Sequence, residues 1–263
     1  MGLTDIFNGS KFDEHPYYSF IVAMLFVFIG FLFALFIFPA EFSIAMVSFS
    51  TILIVPYMLI VLTREEMEKN QGIKSAFQNF SKHNRVILLF IFFFFGMAIE
   101  YMLLFAFVPP DVTELAFGNQ LMTISDTPSK YFLNMDFLFK ILINNLRLVF
   151  ICYVLSLFYG IGALFILSYN ASIVGTVYGN TLRPLIWGGS MATFAITKLV
   201  LFLPHLITEV IAYLLAAIAG VLLLKSMSGK SPTALTESIV ILMGAVALTI
   251  FAGVLEIFVP FLF

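Results

Sequence analysis

The sequence predicts an all-α fold: a polytopic transmembrane helical bundle with six spans and a short interfacial or re-entrant helix before the fifth. Three observations predict it. Of the 263 residues, 62% are hydrophobic and only 11% are charged, a balance outside the range of soluble domains. The mean hydropathy is +1.08. The apolar residues also collect into runs of about 20, the length a helix needs to cross about 30 Å of hydrocarbon.

These runs lie at 17–38, 42–62, 86–108, 148–168, 205–224 and 239–260. No basic segment or small-residue cleavage site precedes the first, which is also too long for a signal-peptide core, so the N-terminus is expected to be retained. Pro39, Ala40 and Glu41 leave room only for a tight turn between the first two spans, and Pro56 is expected to kink the second. The segment 63–85 follows, with Arg64, Lys69, Lys74, Lys82 and Arg85. This is the largest basic cluster in the chain, and the positive-inside rule places it and the N-terminus in the cytoplasm. Its REEMEK pattern predicts a solvated helical extension of the second span. The segment 109–137 carries Asp111, Glu114, Asp126 and Asp136 against Lys130 alone and is expected on the outer face. Residues 129–142 read as an amphipathic lead-in near that interface, with Phe132, Met135, Phe139 and Leu142 toward lipid.

Between residues 169 and 204, Pro184, Gly188, Gly189 and Pro204 interrupt the apolar pattern. The stretch 190–203 is too short to span, and Ser190, Thr193 and Thr197 share one helical face, as an interfacial or re-entrant helix requires. Counting it as a span would move Lys225 and Lys230 to the cytoplasmic side. The whole chain, 1–263, reads as a single membrane domain: three N-terminal spans over 1–108, an outer loop over 109–137 and a C-terminal half over 138–263.

Ionisable side chains inside spans cost about 2.5–3.5 kcal/mol each on insertion scales and call for partners or water. Here they are Glu100, Glu209 and Glu256, with His205 at a span's start, Lys198 in the short helix and Arg147 at a span's edge. Arg147 and Lys198 can neutralise two of the acids, and the third can stay protonated or bond to His205. His205 and Glu209 are four residues apart and share a helix face, with Pro204 suited to the first turn, and Tyr213 extends that face by another turn. Asn144, Asn145 and Arg147 open the fourth span, and Asn170 follows its apolar stretch. Gly160 and Gly162 permit close backbone approach, and Gly175–Gly179 has the GxxxG spacing that packs membrane helices onto a neighbour or a second copy. FFGMAIEY at 94–101 weakly echoes FAGVLEIF at 251–258, a similarity too short to establish a repeat.

Enzymatic readings find little support. Zinc hydrolysis needs about three ligands, but His15 and His83 lie in water-facing segments and there is no HExxH. Glu65–Glu66 is followed at position 70 by Asn70, not the arginine of an EExxxR protease motif, and no GxSG-like or Walker motif is present. The lone Cys152 cannot form an intrachain disulfide. No cofactor or metal is expected. The net charge of −2 argues against nucleic acid as a partner, whereas the 33 phenylalanines suit lipid.

The C-terminal half resembles the stage II sporulation protein M family over about 140–263. The features that carry the resemblance are the pair Asn144–Asn145, GIG at 160–162, Asn170 with Gly175 and Gly179, PHLITEV at 204–210, AAIAG at 216–220 and LEIFVPF at 255–261. PHxxxE is the most specific. Ala171 and Leu206 stand where the family often has glycine. The resemblance implies a membrane protein, and founding members anchor cell-wall-degrading partners in spore engulfment. Taken together, the residues predict a non-enzymatic scaffold or assembly subunit of the cell membrane, with an Asn/His/Glu polar cluster locking its helices. Its expected partners are the lipid bilayer and another membrane protein or a second copy. The alternative is a transporter, channel or permease component whose buried acids couple to protons or cations, and an intramembrane hydrolase using His205 and Glu209 is a distant third.

Overall fold

A computed structural model describes residues 17–68, 84–125, 135–159, 163–187, 192–229 and 233–258. Among them there are eight α-helices and no strand. The helices are α1 (Tyr17–Ile37), α2 (Phe42–Glu68), α3 (Asn84–Phe107), α4 (Pro110–Ser125), α5 (Met135–Tyr159), α6 (Ala163–Ile186), α7 (Ala192–Met227) and α8 (Ala234–Phe258). Among the described residues six segments are long and apolar enough to cross a membrane: Tyr17–Ile37, Pro39–Met58, Leu88–Phe107, Leu138–Leu157, Leu203–Met227 and Ala234–Leu255.

Local chemistry explains the boundaries. A 3-10 turn over Pro39–Glu41 joins α1 to α2, proline being compatible with a first turn because it has no N–H to donate there. The helical extension predicted for the second span is present as far as Glu68, and Pro56 lies inside that helix. Pro110 begins α4 and Asp111 occupies its first turn, where a carboxylate meets the positive end of the helix dipole. At the end of α7, Gly229 takes φ 69°, while the Ser228 and Gly229 amides donate back to Leu224 and Ser226 at 3.0 Å. That left-handed residue is the usual glycine stop after a helix.

Three expectations are corrected. Among the described residues the fourth span is Leu138–Leu157, which starts ten residues before the expected 148–168, and residues 160–162 of that expectation lie outside the described residues. The stretch 190–203 is not a separate short helix: from Ala192 it runs through Pro204 into the fifth span as one helix. A proline costs one backbone bond, but an apolar surrounding leaves the remaining amides no better partner than the helix itself. The acidic segment 109–137 contains the 16-residue helix α4. Thr113, Ala116, Phe117 and Gln120 are buried on it at i, i+3, i+4 and i+7, while Asp111 and Glu114 are exposed.

The helices form two compact units. The first contains α1–α4 and α6 from Ser168 onward. In it α1 packs on α2 and α3, and Ser19 bonds to the Tyr57 hydroxyl at 2.7 Å. A Cβ on Gly175 would lie 2.8 Å from the Ala98 carbonyl oxygen, and one on Gly179 would lie 2.9 Å from that of Met102. The GxxxG pair therefore packs onto α3 within this unit. The second unit contains α5, the start of α6, α7 and α8, and α7 packs against both α8 and α5. Gly220 of α7 meets Tyr153 and Ser156 of α5, and Gly253 of α8 meets Leu142 of α5.

Candidate functional site

In the second unit the polar residues of α7 form one continuous line. His205 is only 3% exposed, and its Nδ1 lies 2.9 Å from the Ala252 carbonyl of α8. A carbonyl only accepts, so Nδ1 carries a proton. Nε2 faces Glu209 Oε2 at 3.3 Å. The Tyr213 hydroxyl donates to the other oxygen of the same carboxylate. Spacing of i, i+4 and i+8 brings the three groups together, and the bond to Ala252 joins their line to the next helix. At the far end of the same hairpin, Ser238 Oγ donates 2.7 Å to the Ala219 carbonyl.

Helix register places Asn145 in this layer. Leu142 meets Gly253 on α8, and His205 meets the adjacent Ala252. One turn further along each helix lie Asn145 of α5, Glu209 of α7 and Thr249 of α8. Asn145 and Thr249 are buried. Asn144 donates to Asn145 Oδ1 at 3.4 Å, and the Asn145 Nδ2 end is buried without a hydrogen-bond partner.

Asn144 and Arg147 are exposed, and no acid among the described residues of the second unit pairs with Arg147. It is two positions from both Asn145 and Val149, which are buried, and at 3.6 residues per turn that puts it on the opposite side of α5. Asn170 and the half-buried Glu100 belong to the first unit. Lys198 lies on α7 and Glu256 on α8, but their side chains lie outside the described residues. No group of three His, Cys, Asp or Glu side chains able to hold a metal occurs among the described residues.

Sequence reasoning missed two polar arrangements in the first unit. Gln120, fully buried on α4, accepts from Ser43 of α2 at 2.6 Å and donates to Ser172 of α6 at 2.9 Å. Its signal was available in the helical period of α4. Arg183 of α6 donates to the Phe105 and Val108 carbonyls at 3.2 and 3.1 Å and to Thr113 Oγ1 at 3.0 Å. Trp187 Nε1 donates to the Ala106 carbonyl at 3.1 Å. Together they satisfy carbonyls that the end of α3 leaves unpaired, and the guanidinium charge complements the helix dipole there. No local pattern reveals a cap that comes from about 80 residues away in the chain.

The family model described as stage II sporulation protein M matches residues 19–260. The chain belongs to that family. The match takes in the N-terminal half, where the resemblance was not legible, as well as the C-terminal half where it was. In this stage II sporulation protein M family member, the PHLITEV stretch supplies the His205–Glu209 pair and the NN pair supplies Asn145. Ala171 and Leu206, which stand where glycine is often found, are both buried. No curated protein and no solved structure shows significant similarity to the chain.

Proposed function

We propose that this membrane protein is a non-enzymatic scaffold or assembly subunit of the cell membrane, in which the His205–Glu209–Tyr213 line is a lock between helices rather than a passage. The observation that carries this reading is how the line spends its polar atoms. His205 Nδ1 is used on a carbonyl of α8, and each oxygen of Glu209 already faces a side chain of its own helix. A site that loads and releases a cation needs carboxylate oxygens it can commit to the ion, whereas a lock needs them saturated. Family membership supports a membrane location. The proposed arrangement is multi-pass, with the N-terminus and the basic segment 63–85 in the cytoplasm, where that segment docks a partner.

The test is reconstitution of wild type and Glu209→Gln into vesicles, with proton and cation flux measured beside thermal stability. A lock predicts no flux from wild type under any gradient and a lower melting temperature for the variant. Wild-type flux that the variant abolishes without losing stability would sink the reading.

A further inference from the structure

The fourth span is the least enclosed of the six: 22% of Leu138–Leu157 is buried, against 56% of Leu203–Met227. Its inward stripe is Asn145, Val149, Cys152 and Ser156, all buried. Its opposite face carries Lys140, Asn144 and Arg147 at i, i+4 and i+7, all exposed, with exposed Phe139, Ile143 and Phe150 beside them. A lipid-facing helix has no use for such a polar ridge.

Arg147 is the sharpest point. It falls at the middle of the Leu138–Leu157 span, so each end of the apolar segment is about 14–15 Å away at about 1.5 Å per residue. That is further than an arginine side chain can snorkel. Lys140, near the span's start, can reach the interface. Arg147 cannot, and no residue pairs with it among those described. The guanidinium keeps its charge even in hydrocarbon and has a planar fork that fits one carboxylate bidentately.

We propose that the Lys140–Asn144–Arg147 ridge is a docking face for a partner transmembrane helix that carries a carboxylate near the middle of its span. Arg147 takes the carboxylate, the Asn144 amide bonds alongside it, and Phe139, Ile143 and Phe150 pack the flanks. Glu209 of a second copy is spent on His205 and Tyr213, and self-association through another span acid such as Glu100 is the competing outcome that the experiment separates. The inference rests on the scaffold reading and adds to it a face within the membrane and the chemistry of what sits there.

The full chain, labelled with a fluorescent donor and placed in phosphatidylcholine vesicles, is titrated with an acceptor-labelled polyleucine helix of about 22 residues bearing one central glutamate. The same helix with a central leucine is the control. The expected result is at least about tenfold tighter association of the glutamate helix, a preference that Arg147→Leu removes and Arg147→Lys partly keeps. Equal association of the two helices, or an undiminished preference in Arg147→Leu, overturns the proposal. So does energy transfer between two differently labelled copies of the chain that Arg147→Leu abolishes, since this assigns the ridge to self-association. If Arg147→Leu does not fold, Arg147→Lys and Asn144→Leu decide the matter, and retention of the full preference in both counts against it. Vesicles that show neither ion flux nor helix preference sink the docking face alone and leave the scaffold reading standing.

Discussion

Glu209 sits among residues that give it two contacts from its own helix, and its tie to the neighbouring helix runs through His205. His205→Phe keeps the bulk and loses both the bond to Ala252 and the partner of Oε2. The expected cost is about 1–3 kcal/mol, seen as a lower melting temperature in detergent. A double-mutant cycle of His205→Phe and Glu209→Gln is expected to be clearly non-additive, because the two residues are in contact. Asn145 predicts the opposite sign. Its Nδ2 is buried without a partner, so Asn145→Leu, which keeps the branched shape and needs no acceptor, is expected to melt at or above the wild-type temperature. A large destabilisation would mean that the amide has an acceptor after all. The shared face of His205, Glu209 and Tyr213 was legible in the sequence because i, i+4 spacing belongs to the helix itself. The outward position of Arg147 was also implicit in its offset from Asn145, but only once the buried side of α5 is known.

Helix packing sets the next level of cost. Gly175 and Gly179 let α6 lie directly on α3, where an added Cβ would press on backbone atoms. Gly175→Leu is therefore expected to disrupt the first unit, whereas Gly244→Leu on α8, where nothing lies near the added Cβ, is expected to be neutral. Limited proteolysis of both variants checks this. The Arg183 cap gives a second prediction. Arg183→Leu removes charge-assisted bonds worth about 1.5–3 kcal/mol, and Arg183→Lys is expected not to restore them, because one ammonium cannot replace a fork that reaches Phe105, Val108 and Thr113 together. Five of the six span positions were readable from hydropathy, since composition alone decides what can cross lipid. The start of the fourth span at Leu138 and the unbroken α7 were not. A proline inside a helix is a local signal whose outcome depends on the surrounding packing.

At the scale of the molecule, the family match covers both halves, although only the second half carries motifs distinctive enough to read by eye. The first half instead depends on ordinary residues placed at helical period, such as Thr113, Phe117 and Gln120. Charge distribution makes the whole-chain prediction. With an impermeant maleimide on intact cells, Lys74→Cys is expected to stay unlabelled and Glu114→Cys to be labelled. The reverse pattern would invert the proposed orientation. Cys152 is fully buried and is expected to contribute no background labelling until the protein is denatured.

The interleaving of the two units bears on how the protein is made. The chain leaves the first unit near Ile124, lays down α5, and returns to the first unit only at Ser168. Until the ribosome has delivered that stretch, Gln120 lacks Ser172, the end of α3 lacks Arg183, and α3 presents the bare strip on which Gly175 and Gly179 will seat. The first unit thus cannot mature in simple order of synthesis. A nascent chain stalled before Ser168 would hold five finished helices, α1–α5, and an unfinished first unit, the stage at which an insertase or chaperone has most to shield.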